Sequence, residues 1–302
     1  MKVGIVGCGI VGSSTVEILK NHHELYLYDK YKQGEVGGVK LIDDLEIVVC
    51  NAEVVFISVP TPMKISGEID LSAINDTVAE ISDLHLMGSP DKSKVICIRS
   101  TAVSGTTDSL ELKFGRKNLK FAFQPEFLTE ANYIEDARHP DRIVIGANKQ
   151  ETALTIKKIY EEAGFTEKTI VYLITDLKTS EMIKYACNCF LSTKVSFANE
   201  IYNICKHLGI EYETVKKALL MDRRIGKTHL NCPGTDQRFG FSGKCFPKDL
   251  NALIYLARER GYNPRLLEEV WETNLKVRKN KDWENIPGAT HKKGFEKKGG
   301  ES

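Results

Sequence analysis

Apolar residues follow two textures along the chain. From the start to about residue 174, short β-rich runs recur at Val3–Cys8, Leu25–Tyr28, Val54–Val59, Val95–Arg99, Leu119–Phe123, Ile143–Ile145 and Ile170–Ile174. Amphipathic stretches such as Leu71–Leu84 and Glu151–Ala163 lie between them. Strands alternating with helices predict an α/β fold, a Rossmann-type, doubly wound, mostly parallel sheet with helices on its faces. From Asp176 the pattern turns helical. Met182, Ile183, Ala186, Phe190, Val195 and Ala198, spaced near three and four, predict one long helix to about His207, and Tyr212–Leu220 predicts a second. A Gly- and Pro-containing loop covers Met221–Lys244. Pro247 suits the first turn of another helix reaching about Arg260, where its missing N–H costs nothing, and a last helix runs from beyond Pro264 to about Lys279. The expected organisation is a sheet domain over 1–175, an all-helical domain over 176–280, and a disordered tail over 281–302, where lysines and glycines outnumber apolar residues. No internal repeat is evident.

Composition narrows the function. The 302 residues carry 42 Lys+Arg against 41 Asp+Glu, a formal charge of +1, which lacks the basic excess that sequence-independent nucleic-acid binding requires. The apolar run Val54–Val59 stops at Pro60, far short of the roughly 20 residues of a membrane span, so no membrane partner is expected. Eight cysteines, at 8, 50, 97, 187, 189, 205, 232 and 245, include no Cys-x-x-Cys pair and read as intracellular thiols. Glycines at 4, 7, 9 and 12 interrupt any leader-like start, and a cytoplasmic location is expected. The histidines at 22, 23, 85, 139, 207, 229 and 291 form no ligand spacing, so no metal is expected.

Gly7-Cys8-Gly9-Ile10-Val11-Gly12 has the G-x-G-x-x-G spacing between a predicted strand and a predicted helix. Bare glycines there let the backbone approach a pyrophosphate, which rests on unpaired N–H groups at the positive end of the helix. A tight strand–helix turn without a ligand would use the same glycines. Asp29, seventeen residues beyond Gly12 at the end of the second strand, favours the ligand reading, because its carboxylate can accept hydrogen bonds from ribose hydroxyls. It would repel a 2′-phosphate, which favours NAD over NADP; Lys30 and Lys32 soften that preference without reversing it.

A second chemistry lies in Phe239-Gly240-Phe241-Ser242-Gly243-Lys244-Cys245-Phe246-Pro247-Lys248-Asp249. Cys245 follows a pliant loop and precedes a helix start, and both the helix N-terminus and nearby lysines stabilise a thiolate. A buried small hydrophobe is the plainer reading of such a thiol, and the one that fits Cys187 and Cys189 in mid-helix. Lys184 and Asn188, four apart on the long helix, share one face and could stabilise an alkoxide or relay a proton; a solvated stripe is their plainer reading. Ser100-Thr101 follows a strand at the carboxyl edge where open α/β sheets bind ligands. Gln124-Pro125-Glu126-Phe127-Leu128-Thr129-Glu130 also follows a strand, with Glu126 and Glu130 readable as helix-start carboxylates.

In this order, Gly7–Gly12, Val59-Pro60-Thr61-Pro62, Ser100-Thr101, Pro125-Glu126-Phe127-Leu128, Lys184 with Asn188, Asp222-Arg223-Arg224-Ile225-Gly226 and Gly243 through Asp249 resemble the nucleotide-sugar dehydrogenases, the UDP-glucose/GDP-mannose dehydrogenase family. The resemblance covers about residues 1–280, and its most specific part is Gly-x-Cys-Phe-Pro-Lys-Asp. It implies an NAD-binding domain with contacts at Gly7, Gly9, Ile10, Val11, Gly12, Asp29, Lys30, Pro60, Thr61, Ser100 and Thr101. It also implies a four-electron oxidation of a nucleotide sugar, with UDP-glucose to UDP-glucuronate as the first reading. Lys184 and Asp249, supported by Asn188, match the residues that handle protons and oxygen charge when the alcohol is oxidised. Cys245 matches the nucleophile that captures the aldehyde as a thiohemiacetal, which becomes a thioester and is hydrolysed. Thr101, Glu126 and Glu130 match positions near the reacting carbon, and Glu126, Phe127, Leu128, Lys184 and Asn188 line the sugar. Phe239, Gly240, Phe241 and Gly243 match a loop closing over it. Arg224 matches an arginine that reaches a neighbouring subunit's nucleotide sugar, so a homodimer through the helical domain is implied.

Two departures stand out. The family usually continues into a C-terminal UDP-binding domain, yet only 53 residues follow Asp249, as expected of a short form or a fragment. Ser242 stands where a second glycine is common. Two other readings remain in view: a single-step hydroxyacid-type dehydrogenase, which needs no Cys245, and an inactive NAD-binding interaction protein.

Overall fold

The computed structural model describes residues 1–88, 90–115 and 118–291. Seven strands form the main sheet: β1 (Lys2–Val6), β2 (Glu24–Tyr28), β5 (Val54–Ile57), β6 (Lys94–Ile98), β7 (Leu119–Phe123), β8 (Arg142–Gly146) and β9 (Val171–Thr175), in the order β2-β1-β5-β6-β7-β8-β9. All neighbours are parallel except β7 and β8. The apolar runs are covered on both faces, because successive residues of a strand point to opposite sides. Val54 and Phe56 join Val16, Leu19, Ile156 and Ile159, from α1 (Ile10–Leu19) and from α6 (Gln150–Glu162), which follows the short α5 (Tyr133–Arg138) and β8. Val55 and Ile57 join Val48, Val49, Ile74, Val78, Ile81 and Leu110, from α2 (Leu45–Asn51), α3 (Ser72–Gly88) and α4 (Thr106–Phe114). This is the doubly wound arrangement expected from the run pattern.

The small hairpin of β3 (Glu35–Val36) and β4 (Val39–Lys40), turned by Gly37 and Gly38 at φ +59 and +82, was not legible as a strand pair because each strand has two residues. The main chain winds from β1 outward to β2, then returns to β5 on the other side of β1. The loops after β1 and β5 therefore lie at the switch point, where open α/β sheets bind ligands.

The chain divides into two compact units, one of Met1–Thr61 with Leu71–Lys184, the other of Pro62–Asp70 with the described residues from Tyr185 onward. The division expected at 175 falls instead within the 32-residue helix α7 (Leu177–Leu208). The first turns of α7 belong to the sheet unit: Leu177 lies in its core, and a side chain at Gly146 would stand 1.9 Å from Ser180 Oγ. The helical unit also holds α8 (Tyr212–Met221), α9 (Cys245–Glu259) and α10 (Arg265–Val277). Cys189, Phe241, Leu250, Ile254 and Val270 form one of its apolar clusters.

The disordered tail expected from 281 is corrected for its first part. Asp282–Glu284 forms a 3-10 turn, and Trp283, 3 % exposed, packs against Trp271 at 5.5 Å and shares a cluster with Met63 and Ala289. Met63 N–H donates to the Ala289 carbonyl, and His291 lies 2.7 Å from Asp70. Average composition hid the spacing of Trp283, Ile286 and Ala289, three apart, which places them in one cluster. Residues 292–302, with the rest of the lysine cluster, lie outside the described residues. No helix among the described residues is long and apolar enough to cross a membrane.

Replacing Trp283 with Ala should cost about 3–5 kcal/mol, as for other buried aromatics. A urea titration checks this, and an unchanged midpoint would show that the segment after α10 does not dock.

Candidate active site

In the sheet unit the glycine motif forms a cradle. Gly9 caps α1 without any side-chain hydrogen bond, so the first N–H groups of the helix, at Ile10 and Val11, have no capping side chain. A Cβ on Gly12 would stand 1.9 Å from the Gly7 carbonyl oxygen, and one on Gly7 would stand 2.5 Å from that of Ser58, whereas one on Gly9 would meet nothing within 4 Å. Two of the glycines thus serve close packing, and the third leaves open space beside the helix start. The residues present therefore fit a dinucleotide pyrophosphate.

Asp29 ties down the rim of this cradle. Its Oδ2 accepts the Cys8 N–H at 2.7 Å, and its Oδ1 accepts the N–H groups of Tyr31 at 2.9 Å and Lys32 at 3.1 Å. A carboxylate has about four acceptor sites, so these three bonds leave capacity for a ribose hydroxyl. Lys32 Nζ donates to the Cys8 carbonyl at 2.7 Å, while Lys30 is exposed with its ammonium 6.0 Å from the Tyr31 ring. Pro60 is exposed and Thr61 buried on the loop after β5. Ser100 is committed to structure, its hydroxyl donating to the Val59 carbonyl at 2.7 Å. Thr101, the next residue, is half-buried.

A second feature of the sheet unit is a desolvated ion pair. Lys184 is 4 % exposed, and its Nζ donates to Glu126 Oε1 at 2.8 Å and to the Glu126 carbonyl at 2.6 Å. Leu128 N–H donates to Glu126 Oε2 at 2.8 Å. Burial pushes the Glu126 carboxyl up, but the Lys184 ammonium and its hydrogen bond, Leu128 N–H and the more distant Arg99 together hold it below the usual carboxylate range. The Phe127 ring has Lys184 Nζ 5.7 Å and the Arg142 guanidinium 4.2 Å from its centre. Glu130 is exposed at the start of the 3-10 turn Glu130–Asn132.

In the helical unit Cys245 is exposed and opens α9, two residues earlier than the expected start. Pro247 is accommodated because first-turn N–H groups have no intrahelical acceptor to lose. The sulfur thus sits on the first turn itself, and no side chain caps that helix end. One turn on, Asp249 is 1 % exposed; its Oδ2 accepts Asn188 Nδ2 at 2.5 Å and its Oδ1 accepts Lys248 Nζ at 2.5 Å. Lys248, anticipated as a cation beside the thiol, is instead buried and committed to Asp249. Cys189 is buried, its thiol pushed up by burial and by Asp249, which agrees with a packing role.

The Phe239–Gly243 loop divides by function. Phe241 is buried in the apolar cluster, its ring 6.2 Å from Phe246 and 6.3 Å from Trp271, so it packs rather than lines an open surface. Phe239 packs against Tyr202 with the rings tilted and their centres 5.2 Å apart, and Gly240 and Gly243 have φ of +72 and +78. Arg224 is held by Asp222 in bonds of 2.5 to 3.1 Å from its own loop, with its side chain 84 % exposed.

Sequence reasoning overlooked three buried groups. The sequence offers Lys248 only as one of the lysines near Cys245, with no sign of its burial. Arg99, buried at the end of β6, donates to the Tyr160 hydroxyl at 2.6 Å, and that hydroxyl donates to Gln124 at 2.9 Å, a network between residues distant in sequence. Glu181 accepts the N–H groups of Gly105 at 2.6 Å and Thr107 at 2.8 Å and the Thr107 hydroxyl at 2.7 Å, so it caps α4 from α7. Burial raises its carboxyl to about 7 against these hydrogen bonds. Of the three only Arg99, at the end of the apolar run Val95–Ile98, stood out as a charge against apolar neighbours; Lys248 adjoins Asp249 and Glu181 follows Lys178-Thr179-Ser180. Among the described residues no group of three or more His, Cys, Asp or Glu stands ready to hold a metal ion.

Comparison with known proteins bears on both units. Residues 22–164 match the NAD binding domain of the UDP-glucose/GDP-mannose dehydrogenase family, and residues 178–276 match its central domain. UDP-glucose 6-dehydrogenase of Rickettsia bellii is 39% identical over 226 residues, 74% of this chain and 49% of that protein. UDP-glucose 6-dehydrogenase TuaD of Bacillus subtilis is 36% identical over 283 residues, 90% of this chain and 58% of that protein. The chain thus spans about half the length of the curated relatives it matches. A UDP-glucose dehydrogenase structure from Pyrobaculum islandicum superposes with a TM-score of 0.81 at 26% identity, covering 91% of this chain and 68% of that one. The Mycobacterium tuberculosis 3-hydroxyisobutyrate dehydrogenase, at 12% identity and a TM-score of 0.70, shares the fold alone. With the two matches together covering most of the sheet unit beyond its glycine cradle, Asp29 included, and the whole cysteine-led helix, the chain belongs to the UDP-glucose/GDP-mannose dehydrogenase family.

Proposed function

We propose that the chain carries out an NAD-dependent four-electron oxidation of a nucleotide sugar, UDP-glucose to UDP-glucuronate being the first candidate, through a covalent adduct on Cys245. The observation that carries this reading is Cys245 itself: exposed, in the first turn of α9, one turn ahead of a buried carboxylate held by Asn188 and Lys248. A single-step dehydrogenase has no use for such a sulfur. When bound, NAD accepts the hydride removed in each of the two oxidations.

The chain's own residues divide the remaining work. The Ile10 and Val11 N–H groups hold the pyrophosphate, and Asp29 holds the adenosine ribose and rejects a 2′-phosphate. Lys184, fixed by Glu126, and Asp249, fixed by Asn188 and Lys248, take up the hydroxyl proton and the charge that develops on oxygen as the alcohol becomes an aldehyde. An aldehyde has too few oxygens to become an acid by hydride loss alone. The Cys245 thiolate adds to its carbon, the carbonyl oxygen takes a proton, and loss of the second hydride with that proton leaves a thioester. Water then attacks the thioester carbon, the sulfur leaves as thiolate and the carboxylate is released, with Thr101, Glu126 and Glu130 assisting the water. Phe239, Gly240 and Gly243 close over the sugar, and Phe127 and Leu128 support Glu126 beside it.

We further propose a homodimer formed by the helical unit. Phe190, Phe197 and Ile204, seven apart on α7, are 63 %, 51 % and 48 % exposed, an apolar stripe of the kind that pairs helices. Arg224, presented outward by Asp222, would reach the partner's nucleotide sugar.

The purified chain given NAD and UDP-glucose or GDP-mannose should form two NADH per sugar consumed; one NADH would indicate the single-step dehydrogenase, and none the binding protein. Cys245→Ala should lose acid formation and keep dinucleotide binding, measured by calorimetry alongside product analysis; normal acid production by this variant would sink the covalent scheme. Asp29→Ala should weaken NAD binding about ten- to a hundred-fold, the range for hydrogen bonds to a charged group. Equal affinity would show that the ribose contact lies elsewhere.

Lys184→Met isolates the buried pair. In the parent, Glu126 is held below its ordinary pKa, so its contribution to stability is present above the ordinary value and is lost as pH falls through the lowered one. Without Lys184 burial dominates and the carboxyl rises, so the variant should lose about 3–5 kcal/mol near neutrality. That deficit should shrink as pH falls and Glu126 protonates. Urea midpoints between acid and neutral pH measure this, and a deficit independent of pH would show that the pair is not what Lys184 supports.

A further inference from the structure

We propose that Asn274 on α10 is a positioning residue for the sulfur of Cys245, acting through the backbone of Phe241. This rests on the reading of Cys245 as the nucleophile. Asn274 has none of its surface exposed, and its amide makes a closed pair of bonds: Oδ1 accepts the Phe241 N–H at 2.7 Å, and Nδ2 donates to the Phe241 carbonyl at 3.1 Å. The side chain thus acts as a strand partner for one residue of a loop. The pairing demands an amide, because no other side chain of that size offers a donor and an acceptor in one plane.

The neighbouring peptides are held in the same manner. Gly240 N–H donates to Asn199 Oδ1 at 3.0 Å, and Arg278 Nη1 donates to the Phe239 carbonyl at 3.4 Å while Nη2 binds Asp236 at 2.7 Å. Gly240 has φ +72, and a Cβ there would stand 2.4 Å from Asn274 Oδ1 and 3.1 Å from Arg278 Cβ. Past this clamp a Cβ on Gly243 would meet nothing within 4 Å, so the loop regains freedom just before the sulfur. The clamp reaches α9 by a second route: the Phe241 ring packs edge-on against Phe246, the residue after Cys245.

Consequences for chemistry follow from what each oxidation needs. Addition of sulfur to an aldehyde carbon requires an approach near 3–3.5 Å, and a misplacement of about 1 Å costs on the order of a hundredfold. The first oxidation uses Lys184 and Asp249 and needs no sulfur. Loosening the clamp should therefore impair the second oxidation selectively and release the aldehyde. A merely structural role for Asn274 would lower both oxidations together.

The test compares Asn274→Ala, Asn274→Asp and Gly240→Ala with the parent, using UDP-glucose or GDP-mannose, whichever the parent oxidises. Four readings are taken: NADH per sugar, aldehyde trapped by a hydrazine, KM for NAD, and the pH profile of Cys245 alkylation by iodoacetamide, followed by peptide mass. Asn274→Ala should lower acid formation at least tenfold, drop the NADH ratio below two with trapped aldehyde, leave KM for NAD unchanged and displace the alkylation profile. Asn274→Asp, which keeps the acceptor for Phe241 N–H and loses the donor, should fall between. A ratio of two with the parent's alkylation profile, or a loss of turnover matching only the unfolded fraction in a thermal melt, overturns the proposal. Should Asn274→Ala not fold, Gly240→Ala perturbs the same contact from the loop side, and parent-like readings there overturn it equally. Alkylation needs no turnover, so a parent that makes one NADH per sugar refutes the proposed function while the positioning claim is still decided by the thiol profile.

Discussion

A carboxylate with 1 % of its surface in water is stable as an anion only if protein donors replace the lost hydration, and Asp249 obtains two from opposite directions. One is Asn188, on α7; the other is Lys248, its own neighbour on α9. Because the bond to Asn188 joins two helices, it sets the rotation and height of the first turn of α9 against α7. Cys245 stands on that turn. The placement of the Cys245 sulfur thus follows from the need of a buried charge for hydrogen bonds.

Buried ion pairs are a poor way to stabilise a fold, since the desolvation of each ion consumes most of the Coulomb gain. Among the described residues there are nevertheless two with both partners buried, Lys184 with Glu126 and Lys248 with Asp249, and one turn of α7 is committed to each. Both lie in segments that the family resemblance marks as chemical. Polar groups held this tightly do not need to reorganise when charge develops, which is what electrostatic assistance to a reaction requires. The same economy appears within the glycine motif of the sheet unit, where Gly7 and Gly12 are needed for close packing and Gly9 is the one of the three that keeps space open.

Several residues that looked chemical in the sequence also carry structural contacts. Ser100 holds the loop after β5, Leu128 lends its N–H to Glu126, and Phe241 fills the helical core. A motif marks a segment, and which residue of it faces inward depends on partners that come from elsewhere in the chain. The segment after α10 illustrates the same limit, since its lysines and glycines suggested a tail while Trp283 is drawn in by Trp271 and Met63.

Local periodicity was enough to predict the seven strands of the main sheet and the long helix, because alternation and three-to-four spacing are properties of neighbouring residues, and Pro247 marked the helix beyond Cys245, though not that the cysteine itself opens it. The glycine spacing and the terminal aspartate likewise announced a dinucleotide cradle, since backbone approach to a phosphate is a local demand. What only the tertiary structure decided is the pairing of charges: Lys184 with Glu126 across 58 residues, Asn188 with Asp249 across 61, Asn274 with Phe241 across 33. Those choices depend on which groups lose their water together, and desolvation is a property of the packed chain that no stretch of residues carries by itself.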